Sequence, residues 1–248
     1  MFENQQFILS SIKNILQEAV AVSCFNCNGI ESFPLQDYVL QSTFLKMTGY
    51  SEQKLKCICW DIASADYEFR YQVYQHWDFG ECSDLDDKTK IYKKLVKTIE
   101  KYDGTFSANA YIKNLKGGTN LIISESFEEC KNILNNSSLQ FFCERDFHNF
   151  YTDTDTFKVD QIICKYSRKK TFIFDDRLKN IYENLYRQRN RCAHNLKSYQ
   201  QNLPRITELL KKTGTGNYFY YFTVLIILDK IFIALYSKLV DLIKKNNW

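Results

Sequence analysis

The chain has 248 residues, of which 45% are apolar and 16% aromatic, with only two prolines and a formal net charge of +4. This composition excludes a disordered, linker-rich or collagen-like chain, because it supplies ample apolar material for a core. At this length the chain forms one large globular domain or two small ones.

Helical periodicity dominates the N-terminal third of the sequence. Apolar residues spaced by three and four predict a first amphipathic helix with the stripe Ile8, Ile12, Ile15, Ala19 and Val22. A second helix is predicted after Pro34, ending near Gly49, with the stripe Leu35, Tyr38, Val39, Ser42 and Leu45. Ser51 is the predicted N-cap of a third helix. That helix is expected to continue toward Val73, with the stripe Leu55, Ile58, Ile62, Ala65 and Phe69.

The middle of the chain carries two shorter helical patterns. One comprises Ile91, Leu95, Ile99 and Tyr102, and the other comprises Phe127, Cys130, Ile133 and Leu134. Residues 157–166 and 171–174 are rich in β-branched and aromatic side chains and flank a basic turn. The composition therefore allows a small β-hairpin near 157–174.

Two further long helices are predicted in the C-terminal third, with a short helix that opens at Pro204 between them. The first begins at Asp175 or Asp176 and has the stripe Leu178, Tyr182, Leu185, Cys192 and Leu196. The second carries the stripe Leu225, Leu228, Ile231, Leu235, Leu239 and Leu242. The apolar run 218–228 ends at Asp229 and Lys230, well short of the roughly 20 residues that a membrane-spanning helix needs. The sequence therefore predicts a buried core helix, no membrane association, and a mainly α fold.

The small net charge hides an uneven distribution along the chain. Residues 1–159 carry 16 basic and 22 acidic side chains, a balance of −6, whereas residues 160–212 carry 13 and 5, a balance of +8. Residues 213–248 contribute a further +2. Clustered lysine and arginine attract polyanions, so the basic stretch is a candidate surface for one. A solvated basic face is the alternative.

Nine cysteines, an odd number, occur without a recognisable secretory signal. The N-terminal residues lack a cationic start and are interrupted by Glu3 and Glu18. Disulfide frameworks belong mainly to small secreted proteins. We therefore expect a cytoplasmic protein with free thiols.

One residue breaks the pattern of the helix that begins at Asp175 or Asp176. Arg189 occupies a position that the periodicity assigns to the apolar face. A guanidinium there must be paired or must line a polar cavity, because burying an isolated charge is costly. Such breaks are typical of functional sites, and a structural ion pair with a distant acid is the alternative. Asn190 and His194 share a neighbouring face, one turn apart.

The string Arg189-Asn190-Arg191-Cys192-Ala193-His194 resembles the signature of the HEPN superfamily, in which arginine and histidine are separated by four to six residues and asparagine commonly follows the arginine. The context is similar as well, because the string lies late in a predicted helix, before a loop and a further apolar helix. The resemblance covers about residues 172–245. It implies a HEPN-like helical bundle, the nuclease unit 156–248, with a larger helical portion 1–155 that is regulatory or structural and packs on it.

Members with this motif are typically endoribonucleases that use neither a metal nor a cofactor and act as dimers. The resemblance therefore implies RNA cleavage by the ribose 2′-hydroxyl, giving a 2′,3′-cyclic phosphate and a 5′-hydroxyl. His194 is implied as the group that moves a proton. Arg189 is implied as the fork of donors that holds the phosphate, and Asn190 as the residue that orients the histidine or the phosphate.

The resemblance also implies partners. Arg189 and His194 point about 140° apart on an ideal helix, so a composite site shared between two copies of a homodimer would solve that geometry. Arg187, Arg191 and Lys197 are candidates for holding flanking RNA phosphates. A toxin or antiphage role and an antitoxin or other regulatory partner are further expectations from the resemblance.

Two alternatives remain open at this point. A non-catalytic HEPN protein would bind RNA, a nucleotide or a partner protein through the same pocket. Cys24 and Cys27 look like half of a zinc knuckle. Cys57 and Cys59 could complete a zinc site only if their helix were broken, because two residues separated by two positions point about 160° apart. Buried free thiols are therefore favoured over zinc.

An aromatic stretch offers a second candidate surface. Its members are Tyr67, Phe69, Tyr71, Tyr74 and Trp77. Such side chains can stack on the bases of single-stranded nucleic acid. They lie in the acidic part of the chain, which would repel phosphates, so a place in the helical core is favoured.

Overall fold

The computed structural model describes residues 2–23, 33–76, 80–114, 119–135, 137, 139, 176–194 and 218–245. Within these ranges every regular element is an α-helix, which confirms the mainly α class for this part of the chain. The helices are α1 (Gln5–Leu9), α2 (Lys13–Ser23), α3 (Phe33–Ala65), α4 (Tyr67–Gln75), α5 (Leu85–Tyr102), α6 (Ala108–Asn114), α7 (Thr119–Leu134), α8 (Asp176–His194) and α9 (Tyr218–Lys245).

The C-terminal helix α9 lies at the centre of the fold. It packs mainly against α3, α5 and α7, and it also contacts α1, α6 and α8. Nearly all side chains from 218 to 229 are buried, as are Ile231, Leu235 and Leu239 further along. The prediction of a buried core helix is therefore confirmed. No helix in the described ranges is long and apolar enough to cross a bilayer.

Within the described ranges, one hydrophobic core joins helices from the two predicted portions of the chain. The ring of Phe44 in α3 stacks on that of Tyr221 in α9, with centroids 5.5 Å apart. Phe127 in α7 meets Phe219 edge to face at 5.3 Å. The boundary near residue 155 lies outside the described ranges and stays a prediction.

The prediction of one continuous first helix is wrong, because the structure has two helices there, α1 and α2. The break lies beside a buried ion pair, in which Lys54 Nζ of α3 and Asp229 Oδ1 of α9 are 2.5 Å apart. The N–H of Ile12 donates to Asp229 Oδ2 at 2.9 Å, and Lys54 donates to the carbonyl of Ser10. Ser10 and Ile12 lie between the two helices, so these bonds provide hydrogen-bond partners for a backbone carbonyl and an N–H that have none within a helix. Val22, placed on the buried stripe by the pattern, is exposed.

The second and third predicted helices form one continuous helix, α3. Gly49 lies inside it with no atom crowding the position of a side chain, and Ser51 continues the helix instead of capping a new one. A glycine inside a helix costs about 1 kcal/mol relative to alanine. Tertiary packing supplies most helical stability in proteins, so burial of one face of α3 outweighs the tendency of Gly49 to end the helix.

The register of the buried stripe on α3 differs between its two halves. In the first half the prediction is wrong, because Leu35 and Tyr38 are exposed. The buried apolar residues there are Leu40, Phe44 and Met47. In the second half Leu55, Ile58 and Ile62 are buried as predicted.

The predicted continuation of this helix toward Val73 is also wrong, because Asp66 ends α3 and caps α4. Asp66 has φ −120° and ψ 106°, and its carboxylate accepts the N–H of Phe69 at 3.1 Å. Lys101 Nζ lies 2.8 Å and Lys94 Nζ 3.6 Å from Asp66 Oδ2. Burial alone would raise the pKa of Asp66, but the hydrogen bonds from Lys101 and Phe69, together with the nearby lysine charges, lower it.

Helix α4 carries most of the aromatic stretch that the sequence assigns to the core. Phe69 is buried, whereas Tyr67, Tyr71 and Tyr74 are 76%, 58% and 89% exposed. The core prediction is therefore wrong for these three tyrosines. The reason is that α4 is a separate helix of nine residues that buries one side and leaves the other in solvent. Trp77 lies outside the described ranges.

The remaining helical patterns are confirmed where the structure describes them. Ile91, Leu95 and Ile99 are buried in α5, and Phe127, Cys130 and Leu134 are buried in α7. Tyr182 and Leu185 are buried in α8. The predicted β-hairpin near 157–174 lies outside the described ranges.

Candidate functional site

The string from Arg189 to His194 forms the last turns of α8. Leu185 buries the inner face of this helix, and Arg189 follows it by one turn on the same face. Helix α8 contacts α3, α5 and α9. Arg189 is therefore directed toward the helical body, and its side chain is 26% exposed.

Two neighbours hold the Arg189 guanidinium. Nη2 lies 3.3 Å from Oε2 of Glu52 in α3, whose side chain is 15% exposed. Nη1 donates to Oδ1 of Asn190 at 3.1 Å. Arg189 is thus paired with a distant acid, as one of the two interpretations of its sequence position required. These bonds use two of the five guanidinium N–H groups, and the described residues provide no acceptor for the others.

Asn190 follows Arg189 in the chain, and this bond holds its side chain against the guanidinium. Its carbonyl oxygen is the acceptor, so its amide N–H groups remain as donors. The side chain is partly exposed. Asn190 therefore both steadies the guanidinium and presents donors of its own beside it.

The other predicted site residues lie elsewhere on α8 or beyond it. His194 is the last residue of the helix, one turn after Asn190, and its side chain lies outside the described part of the structure. Arg187 and Arg191 are exposed, one turn apart. Their register is about 160° from Arg189. Within one copy of the chain, these two arginines therefore lie on the opposite side of α8 from Arg189. Lys197 lies outside the described ranges.

Sequence reasoning missed the charged residues of α3 and of the loop before α5. Lys56, one turn after Glu52, lies 2.6 Å from Oε2 of the exposed Glu81. The hydrogen bond from Lys56 lowers the pKa of Glu81, and the Arg189 charge acts in the same direction. Arg189 therefore interacts with two acidic residues, Glu52 directly and Glu81 through its charge, and Glu81 is itself paired with Lys56.

The described part of the loop that carries Glu81, residues 80–84, is constrained by its backbone geometry and its contacts. Gly80 has φ +52°, and a side chain there would collide with the carboxylate of Asp87, so this position requires glycine. The hydroxyl of Tyr182 in α8 donates to the carbonyl of Ser83 at 2.6 Å. The loop is therefore fastened to the same helix that carries Arg189.

A fully buried lysine forms a hydrogen bond with the backbone of this loop. Lys88 in α5 donates to the carbonyl of Cys82 at 2.5 Å, and its Nζ lies 5.8 Å from the ring centre of Tyr182. No carboxylate of the described residues lies within ion-pair distance of Nζ. Burial lowers the pKa of Lys88 to about 8, against the opposing effect of Glu52 and other nearby groups.

The depressed pKa of Lys88 predicts a pH-dependent stability. Between pH 8 and the usual lysine pKa, the unfolded chain binds the proton and the folded chain does not, so the free energy of unfolding should rise with pH. The expected slope is up to about 1 kcal/mol per pH unit. Urea unfolding at several pH values, compared between the parent and Lys88→Met, measures it. Equal slopes in the two proteins would contradict the assignment.

Comparison of the chain with protein-family models, with curated proteins and with solved structures finds no match. The site is therefore defined by its geometry and by the sequence string. Among the described residues, Arg189 is bonded to Asn190, the next residue of α8, and to Glu52 of α3.

Metal ligands do not cluster in the described part of the chain, where no group of three or more His, Cys, Asp and Glu side chains could hold an ion. Cys57 and Cys59 lie in the unbroken helix α3. Cys59 is buried and Cys57 half-buried, and burial raises the pKa of both thiols. Cys24 and Cys27 lie outside the described ranges.

Proposed function

We propose that this chain is a metal-independent endoribonuclease of the HEPN type. The observation that carries the proposal is the pairing of Arg189 with Asn190 in the last turns of α8, one turn before His194. Its sequence context supports it, because these residues lie in the stretch 160–212 with a balance of +8. The fold expected for residues 156–248 is a HEPN-like bundle.

The chemistry needs few groups because RNA carries its own nucleophile. The 2′-oxygen bonds to phosphorus while the bond from phosphorus to the 5′-oxygen breaks. The 2′-hydroxyl proton must leave, and the 5′-oxygen must gain one, which suits an imidazole such as His194. Charge accumulates on the non-bridging phosphate oxygens, which the free N–H groups of Arg189 can bind. The Asn190 amide offers donors next to them.

A homodimer fits the arrangement of α8. Arg189 faces α3 through Glu52, while Arg187 and Arg191 are exposed in a register on the far side of the helix. In the proposed homodimer the site is a composite one to which the partner copy contributes, since Arg189 and His194 of one copy lie about 140° apart on an ideal helix. A toxin or antiphage role in the cytoplasm, with an antitoxin or another regulatory partner, completes the proposal.

A non-catalytic binding protein is the second candidate. The Glu52–Arg189 ion pair favours it, because the carboxylate neutralises the cation that phosphate would need. In that case the site would bind RNA, a nucleotide or a partner protein without cleaving RNA.

The two functions are separated by incubating the purified protein with single-stranded and structured RNA in excess EDTA. The parent should cut RNA and leave 2′,3′-cyclic phosphate ends, whereas His194→Ala should not. His76→Ala is the matched control, because His76 is an exposed histidine at the end of α4. Intact RNA from the parent, with binding retained, would favour the non-catalytic protein.

The role of Glu52 leads to a separate prediction. Glu52→Gln should lower the cleavage rate about tenfold, because the charged hydrogen bond that holds Arg189 is weakened by about 1.4 kcal/mol. RNA affinity should not fall, since the change removes a negative charge. Rates at saturating RNA and equilibrium binding are measured separately. Weaker binding with an unchanged rate would contradict this role.

A further inference from the structure

The exposed side of α4 and the cavity at its N-terminal end form a second surface, which we call the α4 face. Tyr67, Tyr71 and Tyr74 are spaced by four and three residues, so they lie within about 60° on one side of the helix. All three are more than half exposed. Three aromatic rings in one exposed row are unusual for a solvated helix, whose outer face is normally charged or polar.

The cavity adjoins this row at Tyr67 and has a volume of about 710 Å³. Phe2, Tyr102, Val240 and Ile243 contribute apolar surface to it. Its polar lining includes the cationic residues Arg70, Lys101 and Lys244. Volumes of roughly 300–1,000 Å³ with apolar walls and a few polar groups are typical of ligand sites.

The charge of the α4 face differs from the charge of its own stretch of sequence. Helix α4 and its cap contain Asp66 and Glu68 against Arg70 alone. The fold adds Lys94 and Lys101 from α5, both within 4 Å of Asp66, and it adds Lys244 from α9. Four cations therefore face two carboxylates.

Two of these cations, Lys101 and Arg70, are held by protein partners and are still exposed to solvent. Lys101 lies between Asp66 and Glu68, 2.8 and 3.7 Å from their oxygens, and is half-exposed. Arg70 donates to the carbonyls of Ala63 and Ser64 at 2.9 and 3.1 Å through Nε and Nη2. These bonds hold the guanidinium at the C-terminal end of α3, and they do not use the N–H groups of Nη1.

We infer that the α4 face binds single-stranded nucleic acid, with bases stacked on the three tyrosines and phosphates held by Arg70, Lys101 and Lys244. The choice of RNA rests on the proposed function, whereas the surface rests on its own geometry. Aromatic rows combined with cations are how proteins hold unpaired bases without reading their sequence. A duplex buries its base faces and cannot use the tyrosines.

The α4 face is separate from the Arg189 site. Glu52, the partner of Arg189, and Ala65, which lines the cavity, are both on α3. Thirteen residue steps separate them, which is about 20 Å along the helix. One RNA strand could therefore contact both surfaces, with the α4 face holding the segment that is not being cut.

The test measures binding in the His194→Ala protein, which leaves RNA intact under the proposed function. A short labelled single-stranded RNA and the corresponding duplex are titrated and followed by fluorescence anisotropy. The triple variant Tyr67→Ser, Tyr71→Ser and Tyr74→Ser should weaken single-strand binding by at least about tenfold, because the loss of each stacked base costs about fivefold or more. The matching triple change to phenylalanine should retain binding, since stacking needs the ring.

Tyr38→Ser is the matched control, because Tyr38 is a 60% exposed tyrosine on α3. Circular dichroism and thermal unfolding check that the variants fold. Unchanged affinity in the triple serine variant, equal affinity for duplex, or an equal loss in Tyr38→Ser would overturn the inference. A changed oligomeric state with unchanged RNA affinity would also overturn it, in favour of a protein interface.

Cleavage by the parent protein, measured separately, distinguishes this inference from the proposed function. Tyrosine-dependent binding without cleavage by the parent would support the α4 face and contradict the nuclease. Cleavage by the parent, together with binding that does not depend on the tyrosines, would support the nuclease and contradict the α4 face.

Discussion

Arg189→Ala should lower the rate of RNA cleavage by about 10²–10³-fold while the protein stays folded. The guanidinium supplies charged donors to phosphate oxygens that gain charge in the transition state, and alanine supplies none. Arg189→Lys should recover only part of the rate, because lysine keeps the charge but loses the planar fork. Initial rates on labelled RNA in EDTA give the comparison.

The control for this prediction is Arg187→Ala. Arg187 is exposed and lies about 160° around α8 from Arg189, so its removal should weaken RNA binding without a comparable loss of rate at saturation. Thermal unfolding of each variant separates catalysis from stability. A similar rate for Arg189→Ala and the parent would rule Arg189 out of the reaction.

Breaking the buried ion pair should have the largest effect on stability. Lys54→Met leaves Asp229 buried without its cation, and we expect a loss of about 3–5 kcal/mol in the free energy of unfolding. Burial lowers the pKa of Lys54 and raises that of Asp229, and the attraction between them opposes both shifts. Each charge is therefore tolerated mainly because of the other. Urea unfolding measures the loss.

The double variant Lys54→Met with Asp229→Leu should recover part of this loss, because two apolar side chains replace two buried charges. Recovery should be incomplete, since the N–H of Ile12 and the carbonyl of Ser10 lose their partners. Lys46→Met is the control, because the Lys46–Glu18 pair is exposed and should contribute about 0–1 kcal/mol. Equal losses in Lys54→Met and Lys46→Met would show that burial does not matter here.

The sequence signal that identified Arg189 could have identified three of the residues that were missed. Glu52 precedes Leu55 by three positions and so extends its buried stripe, and Lys88 stands in the same relation to Ile91. Lys54 precedes Ile58 by four positions. A charged residue on an apolar helical stripe must find a partner. The pattern could therefore have marked all three as paired or buried charges.

The partners themselves could not be read from the sequence. Glu52 and Arg189 are 137 positions apart, and Lys54 and Asp229 are 175 apart. Without a known packing of helices, no spacing rule links such pairs. Glu81 offered no signal of its own, because an exposed acid in an acidic loop is ordinary.

The sequence by itself determined the helical class, the burial of α9, and the register that places Arg189 on the inner face of α8 with Asn190 next to it in the chain. These features depend on spacing along one helix, which is a local property. The tertiary structure alone decided that the first predicted helix breaks between Leu9 and Lys13, beside Lys54 and Asp229. It also decided that Glu52 holds Arg189 and that α5 and α9 add cations to the α4 face. Each of these depends on which helix faces meet, and that is set by long-range packing of the core rather than by local pattern.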